Sequence, residues 1–118
     1  MAKDNLFTIT HEDDFNKGTY KLLCYLKDKI KLNQKIFHIA SDTTLSRVKF
    51  AKIIIKNSKK LKNIKFKTVK FNQIIYNEKR AAKNNLISKY TRKILKIKFR
   101  NPEEIIKQKI RLLEKNEE

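Results

Sequence analysis

Ser46-Arg47-Val48-Lys49-Phe50-Ala51-Lys52-Ile53-Ile54-Ile55-Lys56-Asn57-Ser58-Lys59-Lys60-Leu61 is the stretch on which the fold turns. At ~100° per residue, Lys49, Lys52, Lys56, Lys59 and Lys60 fall within one third of a helix circumference. Ala51, Ile54, Ile55, Ser58 and Leu61 fall opposite, with Phe50 at the edge and Ile53 intruding on the Lys face. One side can bury against a core while the other offers five ammonium groups. The spacing predicts an amphipathic helix over residues 46–61.

Upstream, Ser41-Asp42-Thr43-Thr44 has turn composition. Before it, Asn33 is an N-cap candidate for a short helix over residues 34–40, and Ile30-Lys31-Leu32 is β-compatible. Glu12, Asp13 and Asp14 supply the negative charge that suits a helix N-terminus. A helix over residues 16–28 follows, with Tyr20, Leu23, Cys24 and Lys27 recurring at three and four and Leu22 and Leu26 widening the apolar face. Leu6-Phe7-Thr8-Ile9-Thr10 can form a strand but has no neighbour in sequence to pair with.

Downstream, Ile64-Lys65-Phe66-Lys67 alternates apolar and basic residues, as a half-buried strand does. Residues 72–76 can return beside it, with 68–71 as the tip. Helix, short strand, helix, turn, helix, hairpin is the element order of a winged helix-turn-helix. The fold class expected is mainly α with a small β-hairpin. After Asn77, Ala82, Leu86, Tyr90 and Ile94 repeat every four residues among Lys and Arg, which predicts a basic helix to about Ile97. Asn101-Pro102-Glu103-Glu104 then starts a new helix, with Ile106, Ile110 and Leu113 as its apolar stripe. The organisation expected is an acidic lead (1–14), a winged domain (15–76) and a helical C-terminal extension (77–118), basic to about residue 100.

Charge separates the same segments. Residues 15–100 carry 25 Lys and Arg against 3 acids, a net +22 within a chain of +18. Such a block repels itself unless a polyanion neutralises it, and nucleic acid is the commonest such partner. With 40% hydrophobic residues the chain of 118 can build one small core, so it is not a disordered polycation. A single cysteine precludes an internal disulfide, which fits a reducing compartment. With neither an N-terminal apolar h-region nor a long apolar run, the expectation is a cytoplasmic protein without membrane contact.

The hairpin extends the basic surface: Lys65 and Lys67 share a side and Lys70 lies near the tip. Arg80, Lys83, Arg92, Lys93 and Lys96 continue it along the C-terminal helix. Lys outnumbers Arg 25 to 5, and Lys binds phosphate as a point charge where base-reading proteins use Arg, Asn and Gln. Shape and backbone contacts are therefore favoured, and a basic arm that orders on a grooved partner suits structured RNA.

Other chemistry finds little footing. His11 and His38 lack partners at metal-ligand spacing, and His38, Ser41 and Asp42 are neighbours in sequence rather than a converging triad. Cys24 reads as a small buried residue, His38 as helix surface, and Tyr20 and Tyr76 as core. Tyr25 and Tyr90 join them as aromatics able to stack bases. One Gly, Gly18, leaves no phosphate-binding glycine loop. No enzyme activity, metal, cofactor or small-molecule substrate is expected.

Several segments resemble a known family. Phe15-Asn16-Lys17-Gly18-Thr19-Tyr20-Lys21-Leu22-Leu23-Cys24 is similar to the first helix of small-subunit ribosomal protein twenty-five of eukaryotes and archaea. Lys31-Leu32 is similar to its short strand, and Phe50-Ala51-Lys52-Ile53-Ile54-Ile55 to its recognition helix. Ile64-Lys65-Phe66 and Gln73-Ile74-Ile75-Tyr76 are similar to its two wing strands. The resemblance implies a winged helix docked on small-subunit ribosomal RNA in the head region, beside neighbouring ribosomal proteins. It assigns Lys49, Lys52, Lys56, Lys65, Lys67 and Lys70 to the RNA side. The chain departs from the family in its short acidic lead, in Val48-Lys49 where the family has Gly-Ser, and in about forty residues after the wing.

The function expected is thus a ribosomal-RNA-binding constituent of the small subunit. The alternatives are a DNA-binding winged-helix accessory or partition protein of a mobile element, and a protein–protein module using its last helix.

Overall fold

A computed structural model describes residues 1–29 and 36–116. It contains α1 (Glu12–Lys27), α2 (Arg47–Asn57), α3 (Lys89–Leu95) and α4 (Pro102–Asn116). Three two-residue strands, β1 (Leu6–Phe7), β2 (Leu45–Ser46) and β3 (Lys83–Asn84), form a small sheet. The fold is mainly helical.

The sheet is ordered β2-β1-β3. β1 lies antiparallel to β2, with Leu6 opposite Ser46, and parallel to β3, with Leu6 opposite Lys83. The strand that looked isolated in sequence is therefore the central one. Its partners lie far along the chain, so local pattern could not reveal them.

α1 begins where acids gather. His11 caps it, its Nδ1 accepting from the Asp13 N–H at 3.2 Å. Gly18 is buried, and a Cβ there would lie 3.0 Å from Ile39 Cγ2 and 3.4 Å from Phe99 Cε1. Its lack of a side chain lets this face of the helix approach Ile39 and Phe99 closely. α2 is capped by Ser46, whose Oγ accepts from the Lys49 N–H at 3.1 Å. It stops at Asn57, short of the expected Leu61. Asn57 Nδ2 donates back to the Ile53 carbonyl at 2.8 Å, and the Ser58 hydroxyl donates to Glu114 at 2.6 Å. Such side-chain bonds compete with helix propagation.

α4 starts where the sequence places it. Asn101 Oδ1 accepts from the Glu103 N–H at 2.8 Å, and Pro102 occupies the first position. Its buried stripe is Ile105, Ile106 and Ile110, while Leu113 is exposed.

Two clusters hold the chain together. Leu45, Ile53, Ile106 and Ile110 form one, with Phe7, Ile9, Phe50 and Ile54 against them. Leu95, Ile97 and Phe99 form the other, with Leu22, Tyr25, Ile39 and Ile94. Both combine residues from either side of the boundary expected at Tyr76. The segment after it is thus packed into the body.

Several expectations are corrected. The hairpin over residues 64–76 is not formed: residues 64–67 have no strand pairing, Val69 bridges to Ala2, and Phe71–Gln73 is a single 3-10 turn. Its tip, Thr68-Val69-Lys70-Phe71, has no Gly, Asn or Asp to adopt a hairpin turn. Instead Lys3 N–H donates to the Val69 carbonyl and Val69 N–H to the Met1 carbonyl, both at 3.0 Å. Of the short helix expected over residues 34–40, positions 34 and 35 lie outside the described residues, as do Ile30-Lys31-Leu32 and Asn33. Residues 36–40 carry no helix. They thread between two neighbours: the Thr10 hydroxyl donates to the Ile39 carbonyl at 3.4 Å and the Ser88 hydroxyl to the Ala40 carbonyl at 2.6 Å. The basic helix expected to reach from about Ala82 to Ile97 is confined to α3, because β3 takes up Lys83 and Asn84. Lys96, at φ 49° and ψ 48°, ends α3 in the left-handed conformation.

Candidate nucleic-acid interface

The strongest functional signal is an uninterrupted run of one charge. Between Asp42 and Glu78 the chain has ten cations and no acid. All ten, from Arg47 to Lys70, are exposed.

α2 positions the first of them. Lys49, Lys52 and Lys56 recur at three and four, so they share one face, and all are exposed. Behind them Ala51 and Ile53 are buried and Phe50 and Ile54 pack on the core. Ile53 thus belongs to the core and not to the Lys face. α4 and β2 both lie against α2, so its buried arc is wider than a single apolar stripe.

The first five residues tie a second basic segment to the start of α2. The Met1 amino group donates to the Lys67 carbonyl at 2.6 Å, and Asp4 Oδ1 accepts from the Phe71 N–H at 2.6 Å. Asn5 then accepts the Arg47 N–H on its carbonyl at 3.1 Å and Arg47 Nε on Oδ1 at 2.9 Å. The strap carrying Lys67 and Lys70 is thereby fastened to the N-terminal edge that anchors α2. Lys65 is exposed just before it. No carboxylate among the described residues pairs with Lys49, Lys52, Lys56, Lys65, Lys67 or Lys70.

Four acids, Glu12, Asp13, Asp14 and Glu114, are engaged elsewhere. Asp13 and Asp14 hold Arg100: Asp14 Oδ2 accepts its N–H at 2.8 Å and Asp13 Oδ2 its guanidinium at 3.1 Å. Glu12 takes Lys109 at 3.1 Å. Glu114 closes the end of α2, accepting from the Ser58 hydroxyl and from the Lys59 N–H at 2.8 Å. The Ser58 bond and the Lys59 and Lys60 N–H groups hold its carboxyl below the ordinary value, against partial desolvation that raises it.

The remaining residues of the expected surface separate. Lys59 and Lys60 are exposed but sit beside Glu114. Arg80 is exposed and lies 4.9 Å from the Tyr76 ring centre. Lys83 is exposed on β3. Arg92 is half-buried, with Nε on the Ser88 hydroxyl at 3.1 Å and a guanidinium nitrogen 3.8 Å from Asp42, so it serves the fold. Lys93 and Lys96 are exposed on and after α3.

Three smaller readings are corrected. Cys24 is exposed, because α1 turns that face outward. Tyr20 is 70% exposed on the same face, and Tyr76 is half-buried. His38 is exposed on an extended segment rather than a helix, its Nδ1 3.3 Å from the Ile87 carbonyl. Arg47 was missed by sequence reasoning: an arginine at a helix start carries no signal of the Asn5 and Phe7 that hold it.

Among the described residues no group of three His, Cys, Asp or Glu could hold a metal ion, and no helix is long and apolar enough to cross a membrane. No protein-family model matches the chain, and neither a curated protein nor a solved structure is significantly similar to it. Of the segments quoted for the resemblance to the ribosomal family, Lys31-Leu32 lies outside the described residues and the two wing segments are not paired as strands.

Proposed function

We propose that the protein binds structured RNA through the Lys face of α2 and the strap that the N-terminal residues fasten to its start, as a non-enzymatic constituent of a ribonucleoprotein, the small ribosomal subunit. The observation that carries this reading is the run of ten exposed cations without an acid between Asp42 and Glu78. A monomer gains nothing from concentrating like charge there; a phosphate backbone neutralises it and releases counterions. Lys dominates the surface, so contacts fall on phosphates and groove shape rather than on base edges. The resemblance on α1 and α2 points to the small subunit as the particle.

Sucrose-gradient fractionation of native extract tests this. The chain is expected in the small-subunit peak at low ionic strength and released as salt rises. Migration at the top of the gradient at low salt overturns the ribosomal assignment.

A further inference from the structure

One cleft, between the N-terminal residues, the start of α2 and the segment from Phe71 to Asn84, is lined by no lysine. It has a volume of about 560 Å³, within the ~300–1,000 Å³ typical of ligand sites. Its walls include Asn5, Arg47, Phe71, Tyr76, Arg80 and Asn84. Two of the five arginines of this Lys-rich chain meet here.

The walls are built rather than accidental. The Phe71 and Tyr76 rings lie 5.3 Å apart, tilted by 33°. Arg80 covers Tyr76 with its guanidinium, and no carboxylate among the described residues claims it. Arg47 is fixed from behind: Nε donates to Asn5 Oδ1 and the guanidinium lies 4.3 Å from the Phe7 ring centre. Asn5 is itself 8% exposed and donates to the Ala82 carbonyl at 2.9 Å. The Nη atoms of Arg47 have no partner among the described residues. The cleft thus combines aromatic faces, a stacked guanidinium and exposed charged donors with no protein partner among the described residues.

We infer that this cleft receives an unpaired nucleotide of the bound RNA, its base stacked at Tyr76 and Arg80 and its phosphate held by Arg47. This rests on the RNA-binding reading above and deepens it. An A-form duplex keeps its bases stacked inside, whereas a bulge or loop can place one on an aromatic or guanidinium plane. The Lys face would grip the helical backbone while the cleft selects RNA with an unpaired base beside it.

The full chain is titrated with an RNA duplex and with the same duplex interrupted by a short adenosine bulge. The bulged RNA is expected to bind about tenfold tighter. Arg80→Ala and Tyr76→Ala should abolish that preference, leaving the two RNAs bound alike. Should Tyr76→Ala lose its circular dichroism, the exposed Arg80→Ala and the stacking-competent Tyr76→Phe, expected to keep the preference, decide. Lys52→Ala with Lys56→Ala should weaken both RNAs alike. Equal binding of both RNAs by the wild type overturns the cleft assignment and leaves RNA binding intact; failure to bind either overturns both. Tight binding of free adenosine monophosphate without bulge preference also overturns it, in favour of a small-molecule site.

Discussion

Single side chains carry sharp consequences in this protein. Lys96 holds a left-handed backbone that costs a non-glycine residue ~1–2 kcal/mol, and it makes no ion pair among the described residues. Lys96→Gly is therefore expected to raise stability by about 0.5–1 kcal/mol, read as a higher urea midpoint with unchanged slope. Glu114 ties the end of α2 to α4 as a carboxylate. Its folded-state pKa is lowered, so the stabilisation is present at neutral pH and lost as pH falls through that lowered value. Glu114→Gln should reduce the thermal midpoint at pH 7, and the gap from wild type should close on acidification through the lowered pKa. A gap independent of pH would show that the charge is not what matters there.

Elements were legible where their signals were local. The acids near α1, the Lys periodicity of α2 and the Asn-Pro-Glu-Glu start of α4 each act within one helical turn, and all three helices form, α1 from Glu12 rather than residue 16, so that its acids make the first turn instead of preceding it. β1 has two residues and pairs with chain 38 to 40 residues away on one side and 77 on the other, which no local pattern encodes. The alternation after Ile64 invited a hairpin, yet without a turn-forming tip the strap found the N-terminus instead. The candidate site was half legible for the same reason: the Lys face follows from period, while the Arg47–Arg80 cleft needs segments far apart in sequence. Ile53 and Leu23 show what burial adds. By period Ile53 falls on the Lys face of its helix and Leu23 on the apolar face of α1, yet Ile53 is 6% exposed and Leu23 61%. Ile53→Ala should cost ~2–5 kcal/mol and Leu23→Ala under about 0.5 kcal/mol in denaturant unfolding.

At the level of the whole molecule, charge and packing divide the chain differently. Its cations concentrate in the middle, but its clusters join the N-terminal half to Leu95, Ile97, Phe99, Ile106 and Ile110. A fragment ending at Tyr76 is accordingly expected to show no cooperative thermal transition, whereas the intact chain shows one. A folded fragment would mean the first half holds itself together. The claim beneath all of this is that six Lys without acid partners, on α2 and the strap, meet phosphates. The direct measurement is the affinity of the intact chain for a structured RNA across a series of salt concentrations. Six phosphate contacts predict a slope of log K against log salt of about −4 to −5, falling in magnitude by ~0.7–0.9 for each of Lys52→Ala and Lys56→Ala. A shallow slope, or one that those two substitutions leave unmoved, contradicts it.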